Sequence, residues 1–308
     1  MTGAFRYTGF FSIQVLLNLL IDNAFLLVVA IGMTFVIISG GIDLSVGAMV
    51  ALTTMVSAAL LAEGWSPLVV IPLVLLIGWL FGLGMGAVIH YFKIQPFIVT
   101  LAGMFMARGL CYVISINTIT IDNSFYQQLA HTKIYVGDAF VSISVVIALF
   151  VVLAAMYFAH YSRFGRNTYA LGGNEQSALL MGLPVARTKM LVYACSGFCS
   201  ALGGVLFTFY MLSGYGLHAV GLELDAIAAV VIGGALLTGG VGYVLGTFFG
   251  EIGRATCRDR GLIKTIIPFE GTLSSWWTKI VIGLLLLLFI LLQRILGARS
   301  SESKAYGS

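Results

Sequence analysis

Charged side chains are scarce in this chain, and a few stand where charge is hardest to keep. Asp43 closely follows the apolar run 24–38, while Glu223 and Asp225 open another at 226–237. A carboxylate at the start of an apolar helix can meet the positive end of the helix dipole, cap free backbone amides, or line a polar path for a solute. Ser45 and Thr100 place hydroxyls in comparable positions. Asp43, Ser45, Thr100, Glu223 and Asp225 are therefore the candidate lining of a translocation pathway. Covalent or metal chemistry has less support. Cys111, Cys195 and Cys199 lie in apolar runs and Cys257 among charges, with no Cys-x-x-Cys pair and no neighbouring His to complete a metal site. His90, His131, His160 and His218 fall apart from one another, near span ends or in loops. A Gly-x-x-x-x-Gly-Lys-Ser/Thr phosphate loop is missing, so ATP is not bound here by that mechanism, and no cofactor is expected in this chain.

The elements that must hold these residues follow from composition. Of 308 residues, 60% are hydrophobic and 9% charged, against about 25% charged in a soluble domain, which excludes a water-soluble globular protein. Runs such as 280–292 show no period-2 alternation, so an outer-membrane barrel is excluded too. The pattern predicts an all-α, polytopic transmembrane helical bundle. Crossings are expected at 24–38, 46–62, 67–92, 96–116, 139–159, 191–212, 226–237 with a Gly-Gly break inside it, 242 onward, and 276–293. No cleavable signal peptide is expected at Met1–Gly9. Gln14, Asn18 and Asp22 share one helix face, fit either for a polar cavity or for the interface.

Charge sets the orientation. Segment 160–190 holds Arg163, Arg166, Arg187 and Lys189 against Glu175, and the tail holds Arg294, Arg299 and Lys304 against Glu302. Segment 117–138 holds Lys133 against Asp122 and Asp138. The positive-inside rule then places 160–190 and the C-terminus in the cytoplasm and 117–138 outside. The lipid bilayer is an expected partner and nucleic acid is not.

An internal repeat is visible. Residues 41–50 (Gly-Ile-Asp-Leu-Ser-Val-Gly-Ala-Met-Val) align without a gap with 221–230 (Gly-Leu-Glu-Leu-Asp-Ala-Ile-Ala-Ala-Val), pairing Asp43 with Glu223 and Ser45 with Asp225 at what looks like a helix N-cap. Gly78, Gly82 and Gly86 are echoed by Gly242, Gly246 and Gly250, and Pro96-Phe97-x-x-Thr100-Leu101 by Pro268-Phe269-x-x-Thr272-Leu273. With a single crossing between copies, parity makes the units 11–116 and 191–296 inverted repeats within one permease-like domain, 1–308. Inverted repeats with interrupted helices at matching positions point to alternating access. Within the loop, Asn174 can cap a two-turn helix, Glu175 suits its dipole and Gly182 can close it. That helix exposes Leu179, Leu180 and Met181 to a partner groove or to the bilayer surface.

Residues 32–47 (Gly-Met-Thr-Phe-Val-Ile-Ile-Ser-Gly-Gly-Ile-Asp-Leu-Ser-Val-Gly), 169–175 (Tyr-Ala-Leu-Gly-Gly-Asn-Glu) and 223–234 (Glu-Leu-Asp-Ala-Ile-Ala-Ala-Val-Val-Ile-Gly-Gly) resemble the permeases of ribose-type ABC sugar importers, a likeness that runs from about Phe11 to Gln293. Residues 269–279 are most similar to the second permease of galactofuranose importers. The resemblance implies a monosaccharide-import permease in the bacterial inner membrane that does no covalent chemistry. Its implied partners are an ABC sugar-import ATPase carrying ATP and Mg, a second permease, identical or different, and a periplasmic sugar-binding protein. It also implies that the loop helix is the coupling helix, with Gly173, Asn174, Glu175, Ala178, Leu179 and Gly182 facing the ATPase. Alternatives of other classes are an autonomous secondary transporter or channel, supported by the repeat and the intramembrane acids, and an intramembrane enzyme, for which no nucleophile and base are paired.

Two departures stand out. Relatives carry ten spans, one of them before the point where the match begins, so about nine crossings are expected here. At 251–260, Glu-Ile-Gly-Arg-Ala-Thr-Cys-Arg-Asp-Arg interrupts a helix that relatives keep apolar. Each unpaired charge at membrane depth costs roughly 2.5–3.5 kcal/mol. The interval from Gly86 to Pro96 is 10 residues and that from Gly250 to Pro268 is 18, so the added length coincides with the charges. The expectation is a local sequence error or insertion, with an anion path through Arg254, Arg258 and Arg260 as the functional alternative.

Overall fold

The computed structural model of the chain describes residues 13–136 and 139–258, with two short helical pieces at 283–284 and 287–288. The crossing expected at 276–293, the Pro268 echo and the galactofuranose-type motif at 269–279 lie largely or wholly outside the described residues. In chain order the elements are α1 (Ile13–Ile38), α2 (Val46–Ala62), α3 (Pro67–Tyr91), α4 (Pro96–Ile114), β1 (Ile119–Thr120), α5 (Ser124–His131), β2 (Lys133–Val136), β3 (Ala139–Ser142), α6 (Ile143–Tyr161), α7 (Arg163–Gly173), α8 (Glu175–Leu180), α9 (Val185–Met211), β4 (Ser213–Gly214), α10 (Leu222–Ile232) and α11 (Val244–Arg258).

The molecule is a polytopic helical bundle. Among the described residues, five helices are long and apolar enough to cross a membrane: α1 from Leu17, α3, α4, α6 and α9. They divide by burial: 78% of the apolar window of α1 and 67% of that of α9 are buried, against 28% for each of the other three. The first two therefore form the centre, while α3, α4 and α6 turn Leu68, Phe97, Phe105, Val113, Phe150 and Tyr161 outward, the face a lipid bilayer covers. Helix α9 packs on α3, α1 and α2, and α1 packs in turn on α10, α11 and α6.

Close approach at the centre is made by small residues. A β-carbon on Gly82 would meet the backbone of Tyr193 and sit 3.0 Å from the Ala194 Cα, and one on Gly197 would sit 3.1 Å from the Gly82 Cα. Apolar helices in lipid gain nothing from leaving water, so contact between backbones supplies the dispersion that holds them. The second glycine series works similarly: Gly246 lies on Gly233, and Gly250 on Ala229 and Gly233. Buried hydroxyls add a tie between Thr34 of α1 and Thr247 of α11, 2.8 Å apart.

Several boundaries differ from the sequence reading. The crossing expected at 226–237 is the 11-residue α10, about 16 Å at 1.5 Å per residue, too short to span. It ends at Gly233–Gly234, where Gly234 takes φ +91°, and the chain turns again through Gly239 and Gly240. Segment 117–138 is folded: β1 pairs with β4, β2 with β3, and α5 is capped by Asn123, whose side chain accepts from the Phe125 amide. Residues 139–142 belong to β3 rather than to the sixth helix. The polar stripe on α1 is used here: Gln14 accepts from the Phe140 amide at 3.0 Å and donates to Asn18 at 2.8 Å, fastening α1 to β3. The loop 160–190 also holds α7, a helix not anticipated, begun by Ser162 accepting from the Gly165 amide at 3.1 Å.

The charged stretch continues α11. Glu251 and Arg254, 2% and 1% exposed, bind each other twice, at 2.8 and 2.6 Å, and Arg254 also reaches Asn23 at 3.1 Å and Asp225 at 3.4 Å. The expected unpaired-charge penalty does not apply to this pair, because each charge keeps an opposite one. Arg254 is closed against the carboxylates of Glu251 and Asp225. The side chains of Arg258, Asp259 and Arg260 lie outside the described residues.

Gly82→Val is expected to destabilise the α3–α9 contact by roughly 1–3 kcal/mol, seen as a lower thermal midpoint in detergent. Gly84→Val, at a position with nothing near a β-carbon, should leave the midpoint unchanged.

Candidate functional site

Two groups of residues carry the candidate function, one at each helix break and one on the 160–190 face. The first break follows α1. The chain turns at Gly40 (φ +83°), and α2 begins at Val46 with Ser45 in the N-cap position. Ser45 makes no side-chain cap bond. The satisfying group is Asp43, which accepts from the Ser45 amide at 2.9 Å, the Ser45 hydroxyl at 2.6 Å and the Ser196 hydroxyl of α9 at 2.7 Å. Both carboxylate oxygens are thereby used, and Asp43, Ser45 and Thr100 are fully buried. Thr100 donates to Pro96 O at 2.9 Å and lies 3.2 Å from Ile42 O, joining α4 to the same break. Asp43, Ser45 and Thr100 thus come together as a clamp.

The second break is built differently. Helix α10 starts at Leu222 after Gly221 in the left-handed conformation (φ +85°), one turn earlier than the alignment with α2 predicts. Glu223 and Asp225 both sit inside its first turn, so Asp225 is no counterpart of Ser45 as an N-cap. Glu223 reaches across to α2: a β-carbon on Gly47 would collide with its carboxylate and come within 2.7 Å of Ala219 O. Asp225 turns away toward Arg254. The five pathway candidates therefore divide into the clamp of three, Glu223 at the contact between breaks, and Asp225 on the α11 side.

Residues not singled out from the sequence complete this region. Arg108 donates to Gly216 O and His218 O, both at 2.6 Å, pinning the connection between α9 and α10 to α4. Ser196 supplies the inter-helix bond to Asp43, and the Tyr193 ring lies against Gly41. Arg108 alone was findable, as an isolated cation in an apolar run.

On the other face, α8 is a compact knob. Asn174 Oδ1 accepts from the Ser177 amide at 2.8 Å, Glu175 pairs with Lys189 at 2.6 Å, and Gly182 closes the turn at φ +74°. Ala178 is buried with Leu171 and Val185 in a small core of its own, so α8 is fastened to α7 and α9 through this residue as well as through the Glu175–Lys189 pair. Leu179, Leu180 and Met181 are 64%, 88% and 67% exposed, and Gly173 stands in open space. All six coupling candidates lie in this one feature.

A bundle with broken helices at its centre and a capped apolar knob on one face is the architecture of a transport permease, and comparison agrees. Residues 15–290 match the family described as the branched-chain amino acid transport system / permease component, and the chain belongs to that family. It is 49% identical to the inner membrane ABC transporter permease protein YjfF of Escherichia coli, over 94% of this chain and 86% of that one. It is 41% identical to the fructose import permease protein FruG of Bifidobacterium longum, over 98% and 87%, and 39% identical to the ribose import permease protein RbsC of Bacillus subtilis, over 91% and 84%. No solved structure matches the chain. The chain is an ABC-type permease, a membrane component whose relatives include sugar permeases.

Asp43→Ala strands two hydroxyls and an amide in the interior and is expected to cost roughly 2–3 kcal/mol, against about 1 kcal/mol for Ser196→Ala. Thermal unfolding in detergent checks the order, and equal midpoints would contradict the clamp.

Proposed function

We propose that this chain is the permease subunit of an ATP-driven importer for a monosaccharide, with galactofuranose the first candidate and ribose or a related sugar the next. The observation that carries the reading is α8: a short helix, capped and anchored through Ala178, presenting three apolar side chains outward on the positively charged face. A helix of six residues does not stand alone, and exposed apolar side chains on it suit a partner's groove. Under this reading the groove belongs to an ABC ATPase that supplies ATP and Mg. Gly173, Asn174, Glu175, Leu179 and Gly182 form the coupling surface, whereas Ala178, expected to face the partner, is buried beneath it as the anchor; 160–190 and the C-terminus face the cytoplasm.

A second permease and a periplasmic sugar-binding protein complete the assembly. Closure of the ATPases moves the coupling helices, and the broken helices bearing Asp43, Ser45, Thr100, Glu223 and Asp225 switch access for sugar released outside. The cross-packing of the two halves supports the inverted-repeat reading. Helix α9 of the second half lies on α3 and α2 of the first, as α1 of the first lies on α11 and α10 of the second. Sugar identity rests on the relatives named for fructose and ribose and on the likeness of residues 269–279 to galactofuranose permeases.

The family reading carries a proposal about 251–260 as well: the run is a local sequence error or insertion. Its support is the excess length between Gly250 and Pro268. The coding DNA over these ten codons is expected to read differently on resequencing. A clean read with a stably inserted protein would show that the buried Glu251–Arg254 pair belongs to the native helix.

The importer role is tested by co-purification with candidate ATPase and permease partners, then by sugar-stimulated ATP hydrolysis in nanodiscs with binding protein added. Stimulation by galactofuranose or ribose is the expected outcome. Transport without any ATPase would instead establish an autonomous carrier. The double variant Glu175→Ala/Leu179→Ala is expected to lose uptake while the binding protein still captures sugar, and wild-type uptake in it would overturn the coupling assignment.

A further inference from the structure

The knob formed by α8 is joined to the membrane interior by a contact that contains almost no side chain. Asn174, its cap, donates its amide to Ala170 O of α7 at 3.2 Å, and Ala178 shares its core with Leu171 of α7, so α7 and α8 are tied together. Helix α7 ends at Gly172 and Gly173. A β-carbon on Gly172 would overlap the carbonyl oxygen of Ile38, the last residue of α1, and lie 2.9 Å from its carbonyl carbon.

The turn before α11 meets the same point from the other side. A β-carbon on Gly239 would sit 2.8 Å from both Gly172 O and the Gly40 Cα, and one on Gly240 would sit 2.9 Å from the Gly173 Cα. Two hydrogen bonds lock the junction: the Gly240 amide donates to Ile38 O at 2.8 Å, and the Tyr169 hydroxyl of α7 donates to Gly242 O at 2.6 Å. Three segments therefore touch backbone to backbone: the end of α7, the break after α1, and the turn between α10 and α11. A long side chain absorbs a displacement by changing rotamer, whereas close-packed backbone passes it on.

We propose that Gly172, Gly239, Gly240 and Tyr169 form a transmission junction, through which movement of the coupling helix reaches the break after α1 and the turn between α10 and α11 at once. These are positioning residues, acting through α1 and α11 and not on the sugar. The proposal rests on the reading of α8 as the coupling helix. It explains why Gly172 tolerates no β-carbon although it lies near the surface, where glycine in a helix is otherwise a cost. It also links Asp43, five residues beyond Ile38, to events at the ATPase surface without any side-chain relay.

The test uses the assembled importer in proteoliposomes, measuring ATP hydrolysis and uptake of labelled ribose and labelled galactofuranose for Gly172→Ala and Tyr169→Phe. Both variants are expected to keep ATPase co-purification and basal hydrolysis, with uptake down about tenfold in Gly172→Ala and less in Tyr169→Phe. Wild-type uptake in both would overturn the proposal. Should Gly172→Ala fail to assemble, Tyr169→Phe decides, because it keeps the ring and removes one hydrogen bond. Reduced uptake with intact hydrolysis would support the junction, and wild-type uptake, or a parallel loss of uptake and hydrolysis, would overturn it. The Glu175→Ala/Leu179→Ala variant separates the two ideas. Normal transport there removes the coupling reading itself, whereas its loss beside normal transport in the junction variants removes only the junction.

Discussion

A helix that stops inside a membrane leaves amides and carbonyls with no water to meet them, and the cost of each is several kcal/mol. Among the described residues the chain interrupts its helices after Ile38, before α10 at Gly221 and again after Ile232, and much of the surrounding structure answers that demand. At the first break the Gly41 amide returns to Val36 O, the Gly40 amide to Ile37 O, and Asp43 takes the Ser45 amide. Thr100 approaches Ile42 O, and the Gly240 amide reaches Ile38 O from the far half of the molecule. After Ile232, Gly233 and Gly234 donate back into α10, and the Leu236 amide takes Val241 O. The break after Ile38 is thus closed partly by its own residues and partly by Gly240, which ties it to the turn between α10 and α11.

The same constraint explains the glycines. Bringing a broken segment close enough to donate its backbone groups requires positions without a β-carbon, and Gly40, Gly172, Gly239 and Gly240 supply them at one junction. In the lipid-facing bundle a related rule governs Gly78, Gly82 and Gly197, where dispersion between backbones replaces the hydrophobic drive available in water. Polar side chains then do the local work. Asp43 is fully occupied as a clamp, while Glu223 lies against Gly47 of α2. The two acids that align in sequence therefore have different duties.

The α8 knob was legible because its determinants are local. Asn174, Glu175 and Gly182 occupy cap, first-turn and closing positions of one short helix, and a cap acts over three or four residues. Most helices were legible for a similar reason, being long apolar runs opened by Pro67 and Pro96. The early start of α10 was not, because Gly221 in the left-handed conformation begins it and no side chain marks that choice. Helix α7 was hidden by its mixed composition, since Arg163, Arg166 and Asn167 read as a solvated loop.

Taken alone, the sequence determined the class of the molecule, most of its apolar helices, the charge asymmetry of its loops and the compact helix α8. All of these follow from composition and from spacings of a few residues. Tertiary structure decided which acids are clamped and which reach another helix, and it brought Arg108 to the carbonyls of Gly216 and His218 and Ser196 to Asp43, 153 residues away. It also decided that three glycine segments far apart in the chain share one contact. Such pairings depend on how helices cross, and crossing is set by the summed fit of many small surfaces, a quantity that no local pattern of residues contains.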